Sequence, residues 1–231
     1  RKYYAIFDIP EFIIHKKFVS DSFITASTDI SVMHSKYSLK VNSFIEETTG
    51  YKSFKSFEQK LCVYGALNTP MGFTSLISMP TGGGKSLVTH VLGYEKNGLS
   101  VVIVPTVSLA IDQERAARTN IKCYKEGEIY CYYNGIKNFK EIKTAIEQRI
   151  ARLLFISPEA LIKNEQFSEL ISKANMDRYL KNIIIDEAHI VVAWGDFFRV
   201  DYQCVSPWRN ELLKVNPELR TYLLSATYRD E

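Results

Sequence analysis

Met79-Pro80-Thr81-Gly82-Gly83-Gly84-Lys85-Ser86 is the stretch on which the reading of this chain turns. Before it runs Thr74-Ser75-Leu76-Ile77-Ser78, short and largely apolar, which reads as a buried strand. After it, Leu87 to Lys96 contains no proline and reads as a helix stopped around Asn97-Gly98. Strand, glycine-rich turn and helix form the setting of a phosphate-binding loop. Glycines let the backbone curl until successive N–H groups face one anion, and the new helix adds the positive end of its dipole. In that setting Thr81, Gly82, Gly83 and Gly84 surround the phosphates, Lys85 reaches the β- and γ-phosphates, and the Ser86 hydroxyl ligates Mg2+. The alternative is a glycine turn that merely ends in Lys-Ser.

A second stretch supplies the other half of such a centre. Asn182-Ile183-Ile184-Ile185 runs straight into Asp186-Glu187-Ala188-His189. A carboxylate at the tip of a buried strand, beside a phosphate loop, is the arrangement that holds Mg2+ through water, which makes Asp186 the metal-side ligand. Glu187 is placed to orient and deprotonate an attacking water. His189 would couple this site to its neighbours without doing chemistry. A lone Asp-Glu pair also suits a solvated turn or a helix N-cap. Two halves of one site in one alternating chain are far more specific than either half.

Between and beyond these stretches, apolar strands alternate with polar helical segments. Strands are expected at 100–104, 129–133, 153–157, 182–185 and 221–224, and helices at 60–67, 108–119, 137–150, 158–162 and 166–174. Near-continuous apolar strands separated by helices predict an α/β fold with a mostly parallel sheet covered on both faces. Ligands of such sheets sit at the carboxyl ends of the strands, where both stretches lie. Upstream, Gly50-Tyr51-Lys52-Ser53-Phe54-Lys55-Ser56-Phe57-Glu58-Gln59 brings a ring, a cation and an amide close to the phosphate loop. Tyr51 and Lys55 could stack on adenine while the Gln59 amide serves its donor and acceptor edges. Packing and helix capping are the ordinary uses of the same residues.

The 231 residues suffice for one large core, or one α/β domain with an appendage, and 46% hydrophobic with 24% charged residues is a globular composition. No apolar run approaches the length of a membrane span, and no signal segment opens the chain, so an intracellular, cytoplasmic protein is expected, nuclear if eukaryotic. A net charge of +3 is too small to demand a polyanionic partner. Cys62, Cys123, Cys131 and Cys204 are scattered without metal-ligand spacing and read as incidental thiols. Residues 1–48 differ in texture: 3–7, 12–14 and 22–25 are short, aromatic and β-branched, as in strands of an extension or a preceding module. The domain proper is expected over 49–231. Starting at Arg1 and stopping just past a strand, the chain reads as a piece of a longer one.

With these motifs in view, residues 50–227 resemble the first RecA-like domain of superfamily 2 helicases, and among them the RecQ-like DNA helicases. Met79–Ser86 is similar to that family's motif I, although its first position usually holds Gly or Ala, and Asp186–His189 to motif II of the DEAH type. Pro105-Thr106-Val107-Ser108-Leu109 with Asp112-Gln113 resembles motif Ia, Ser157-Pro158-Glu159 lies in a likeness of motif Ib, and Leu224-Ser225-Ala226-Thr227 resembles motif III. Gly50–Gln59 resembles the adenine-gripping motif 0, with Lys55 where Arg is usual and one extra residue before Gln59.

Trp194-Gly195-Asp196-Phe197-Phe198-Arg199-Val200-Asp201-Tyr202 is similar to the aromatic-rich loop through which RecQ-like enzymes sense single-stranded DNA. Exposed rings stack on bases at about 1–3 kcal/mol each, which suits Trp194, Phe197 and Phe198, with Arg199 as the cation. The resemblance implies ATP and Mg2+ as cofactors, and Pro105, Ser108, Ser157 and Pro158 along the phosphates of a DNA strand. It also implies His189, Ser225 and Thr227 as couplers, and a second RecA-like domain that donates an arginine finger. On that reading this segment alone binds ATP–Mg2+ weakly and hydrolyses it slowly, and the intact motor travels 3′→5′. The other readings are a translocase that does not separate strands, an RNA-directed DEAH-type enzyme, and a scaffold that keeps the fold without catalysis.

Overall fold

The computed structural model describes residues 39–94, 98–133, 135, 138–189 and 200–226, with residues 200–203 as backbone only. Strands β1 Thr74–Ser78, β2 Leu99–Ile103, β3 Ile129–Tyr132, β4 Leu153–Ile156, β5 Leu180–Ile185 and β6 Arg220–Ser225 form one sheet in the order β1-β6-β5-β2-β4-β3. Every pairing among them is parallel. Such a sheet must be covered on both faces, and the helices provide the cover. They are α1 Ser43–Thr49, α2 Phe57–Leu67, α3 Ser86–Gly93, α4 Val107–Asn120, α5 Phe139–Glu147, α6 Pro158–Lys163, α7 Glu165–Met176 and α8 Val200–Val215.

The two-residue repeat of a strand divides the core in two. Val101, Ile103, Leu154, Ile156, Ile183 and Ile185 point to one face and pack with Ile142, Leu161, Phe167, Ile171 and Leu212 from α5 to α8. Val102, Leu153, Phe155, Ile184, Tyr222 and Leu224 point to the other and pack with Ile45, Val63, Val88, Val91 and Ala117 from α1 to α4. Each fully buried aliphatic or aromatic side chain contributes roughly 1.5–3 kcal/mol, so the two layers hold the strands in fixed register.

Register is what positions the site. Because all six strands are parallel, their carboxyl ends share one rim of the sheet. β6 is inserted between β1 and β5, and its end is bonded to the loop that leaves each of them. The Met79 N–H donates to the Ser225 carbonyl at 3.0 Å, and the Ala188 N–H donates to the Leu224 carbonyl at 2.8 Å. Asp186 continues the ladder on the far side, its N–H donating to the Ile103 carbonyl at 2.9 Å.

The boundary expected between residues 48 and 49 falls inside helix α1, Ser43–Thr49. Helix α1 begins at the N-cap Asn42, whose side chain accepts the Ile45 N–H, and ends at Gly50 with φ 76°. Ile45 is 0% exposed in the shared core, and the Phe54 N–H donates to the Leu39 carbonyl at 2.8 Å. Residues 39–48 are therefore part of the α/β unit. The strands expected at 3–7, 12–14 and 22–25 lie outside the described residues. Helix α8 is an element that the sequence pattern does not suggest; Pro207 stands inside it.

Candidate functional site

The glycine-rich stretch is the loop between β1 and α3. Gly82 and Gly84 have φ of 78° and 91°, left-handed values that a side chain adopts only with strain. At Gly84 a Cβ would also lie 2.1 Å from Gln59 Nε2, so the glycine is required for close approach as well as for the turn. The loop closes on itself through the Gly83 N–H, which donates to the Pro80 carbonyl at 2.9 Å. Helix α3 then starts with the Leu87 and Val88 N–H groups bonded back to Gly84 and Lys85. Met79, the unusual first residue, is 1% exposed and serves as a core side chain under the loop.

Across the rim, Lys85 Nζ donates to Glu187 Oε1 at 3.1 Å, joining two loops 102 residues apart in sequence. Glu187 Oε2 lies 3.3 Å from His189 Nδ1, and that nitrogen lies 2.9 Å from Ser225 Oγ. Lys85, Glu187, His189 and Ser225 thus form one polar chain running from the phosphate loop to the end of β6. Glu187 has φ 51°, a left-handed value for a non-glycine residue, which costs on the order of 1–3 kcal/mol and is typical of functional turns.

Asp186 is the buried member of the pair, at 7% exposure. Its Oδ2 accepts from Gln113 Nε2 at 2.6 Å, and its Oδ1 accepts from the Glu187 N–H at 3.0 Å. Burial pushes its carboxyl above the ordinary 3.8, aided by the Glu187 charge, while the Gln113 amide, Lys85 and the Glu187 N–H pull it down. A carboxyl whose pKa is raised by folding holds its proton more tightly when folded. The associated stability is full below pH 3.8 and is lost as pH rises through the raised value. Asp186→Asn is therefore expected to raise the melting temperature at pH 7, with the gain shrinking towards pH 4 in thermal melts at both. A lower melting temperature at pH 7 would mean that the charge is held by more than it loses to burial.

The adenine-side residues surround a cleft of about 260 Å³ lined by Tyr51, Lys55, Gln59, Gly84, Ser86, His90 and Asn120, among others. Gln59 is expected from the sequence to offer both amide edges to a base. In the structure Oε1 accepts the Lys55 N–H at 2.7 Å and Nε2 donates to the Gly84 carbonyl at 3.2 Å, so the amide ties the upstream loop to the phosphate loop. Each edge keeps one further hydrogen-bonding position, a second lone pair on Oε1 and a second hydrogen on Nε2, so these bonds and a base are compatible.

The expected nucleic-acid residues fare unequally. Ser108 is exposed at the start of α4. Ser157 is 2% exposed, and its hydroxyl caps α6 by accepting the Ala160 N–H at 3.3 Å. Pro158 is the first residue of that helix and is buried, as is Pro105. The cap uses Ser157 Oγ as an acceptor and leaves its O–H as a donor, the role a contact to a strand's phosphate would need. Trp194, Phe197, Phe198, Arg199 and Thr227 lie outside the described residues. Gln113 and His90 are additions that the sequence reading does not place at the site. Gln113 has a signal, since it stands in the Asp112-Gln113 pair of motif Ia, whereas His90 has none beyond lying one helical turn after Ser86.

Two loops at the rim of one parallel sheet, joined by a lysine and a carboxylate, are matched by family comparison. Residues 58–231 match the DEAD/DEAH box helicase family. The chain belongs to that family. This helicase domain is 31% identical over 168 residues to the ATP-dependent helicase SGS1 of Saccharomyces cerevisiae, a match covering 71% of the chain and 11% of the yeast protein. It is 31% identical over 160 residues to the ATP-dependent DNA helicase RecQ of Haemophilus influenzae, covering 69% of the chain and 24% of that protein. The domain therefore spans a quarter or less of these relatives. Among solved structures, the UvsW helicase from bacteriophage T4 superposes with a TM-score of 0.54 at 18% identity, over 89% of this chain and 61% of that one, a likeness of fold. RecQ-family relatives thus align over most of a helicase domain built on a RecA-like sheet.

Among the described residues no three His, Cys, Asp or Glu side chains cluster as a metal site, and no helix is long and apolar enough to cross a membrane. A hydrated Mg2+ needs fewer protein ligands than such a cluster supplies, since it keeps several waters. One buried carboxylate and the Ser86 hydroxyl at the start of α3 suit that coordination.

Proposed function

We propose that this domain is the ATP-binding half of a RecQ-like DNA helicase motor. The observation that carries the reading is the Lys85–Glu187 ion pair of 3.1 Å, because it brings the phosphate loop and the acidic loop into one centre. Lys85 leaves Glu187 to hold the β- and γ-phosphates, with the backbone of Thr81 to Gly84 and the helix N-terminus around them. Ser86 and Asp186 hold Mg2+, which offsets the charge of the phosphates. Glu187, released from Lys85, accepts the proton of the attacking water. Tyr51, Lys55 and Gln59 face the nucleoside. Ser108 and the residues Trp194, Phe197, Phe198 and Arg199 contact single-stranded DNA, Pro105 and Pro158 shape the loops beneath the strand, and Thr227 links to a second RecA-like domain. The polar chain from Glu187 through His189 to Ser225 carries the state of the nucleotide to the end of β6. Such a motor works inside the cell, where DNA is found.

ATP hydrolysis by the intact protein, measured with single-stranded DNA or RNA of equal length, tests this reading. DNA is expected to stimulate turnover well above RNA, and a labelled duplex with a 3′ tail is expected to be separated. Stimulation without strand displacement would make the protein a translocase, and RNA preference would assign it to the RNA-directed branch.

A further inference from the structure

His90 stands four residues after Ser86 in α3, so both lie on one face of the helix, about 6 Å apart along its axis. The residue lines the same cleft as Gly84 and Ser86 of the phosphate loop, Ala116 and Asn120 of α4, and Tyr51, Lys55 and Gln59. The residue is 5% exposed. Its carbonyl accepts from Tyr124 Oη at 2.8 Å, which fixes the backbone, yet among the described residues neither ring nitrogen has a hydrogen-bond partner. Neither nitrogen is among the buried polar atoms of the described residues that lack a partner, so on a residue this little exposed they reach solvent at the cleft it lines, where a ligand can meet them. A glycine-rich turn that takes the phosphates at one end of this cleft leaves the other end for the rest of the nucleotide.

We propose that His90 binds the nucleoside end of the ATP held by the phosphate loop, one ring nitrogen hydrogen-bonding to it. The assignment rests on the nucleotide reading of the loop and adds a residue that is part of no helicase-like motif of this chain. Burial pushes the imidazole pKa down to about 4, so at neutral pH the ring is uncharged and offers one donor and one acceptor. A neutral hydrogen-bonding group suits the uncharged nucleoside, as Lys85 suits the phosphates.

Calorimetric titration of the 231-residue chain with Mg–ATP and with Mg–tripolyphosphate, which has the phosphates but no nucleoside, separates the two ends. His90→Leu is expected to weaken ATP binding by about fivefold to tenfold, the range of one hydrogen bond, and to leave tripolyphosphate binding unchanged. His90→Gln, which keeps a donor and an acceptor, is expected to recover most of the ATP affinity. Melting curves of both variants check that the fold is retained. Equal losses for both ligands, or no loss for either, would overturn the proposal while leaving the phosphate-loop reading in place. Failure of the unaltered chain to bind either ligand would overturn both.

Discussion

Lys85→Ala is expected to weaken Mg–ATP binding by about a hundredfold and to leave the melting temperature almost unchanged. The affinity loss comes from removing the one side-chain cation of the phosphate loop. A charge-assisted hydrogen bond is worth about 1.5–3 kcal/mol, and two phosphates lose theirs together. The small change in stability comes from the setting of the ion pair. Lys85 and Glu187 pair with side chains 13% and 27% exposed, and without the lysine Glu187 keeps His189 at 3.3 Å and its contact with solvent. Ion pairs near the surface contribute about 0–1 kcal/mol. Calorimetry and a thermal melt of the same sample make the comparison. Unchanged ATP affinity would remove the basis for the proposed function, and a large drop in melting temperature would make the lysine a structural residue.

Glu187→Gln is expected to behave in the opposite way, with binding kept and turnover lost. A carboxylate that accepts the proton of an attacking water contributes roughly 10²–10⁴ in rate, and an amide cannot replace it. The substitution also frees Lys85, which has only a neutral partner left, so ATP affinity is expected to stay level or rise. Single-turnover hydrolysis and equilibrium binding in the intact protein separate the two effects. A variant that hydrolyses ATP at the normal rate would show that Glu187 serves only to park the lysine.

The contrast between these two residues shows what the sequence can reveal. Both stand out because chemistry-bearing side chains come directly after apolar runs of strand length, and the parallel sheet makes those runs end on one rim. Strands are legible for the same reason: Leu153–Ile156 and Ile183–Ile185 are apolar without interruption, although Lys181 hides the first residues of β5. Helix α1 escapes the sequence pattern because Phe44-Ile45 and Thr48-Thr49 resemble strand residues, yet Asn42 and Gly50 bracket it with a cap at each end. Helix α8 is hidden by Pro207 and by the likeness of its first residues to an aromatic-rich loop.

At the site, side-chain identity is legible and side-chain partnership is not. Gln59 looks the same in sequence whether or not its amide meets the Gly84 carbonyl. Ser157 looks the same whether or not it caps a helix. Those outcomes depend on distances between segments far apart in the chain. His90 is the extreme case, because nothing local distinguishes a core histidine from one that borders a cleft.

The insertion of β6 between β1 and β5 has a mechanical meaning. Its last two peptides hold Met79 on one side and Ala188 on the other, like the crossbar of a yoke. A pull on the chain beyond Ser225 would shift the phosphate turn and the acidic turn together, and neither could move alone without first letting go of that bar. On the proposed function, force arriving from one direction would open both jaws around the fuel at once.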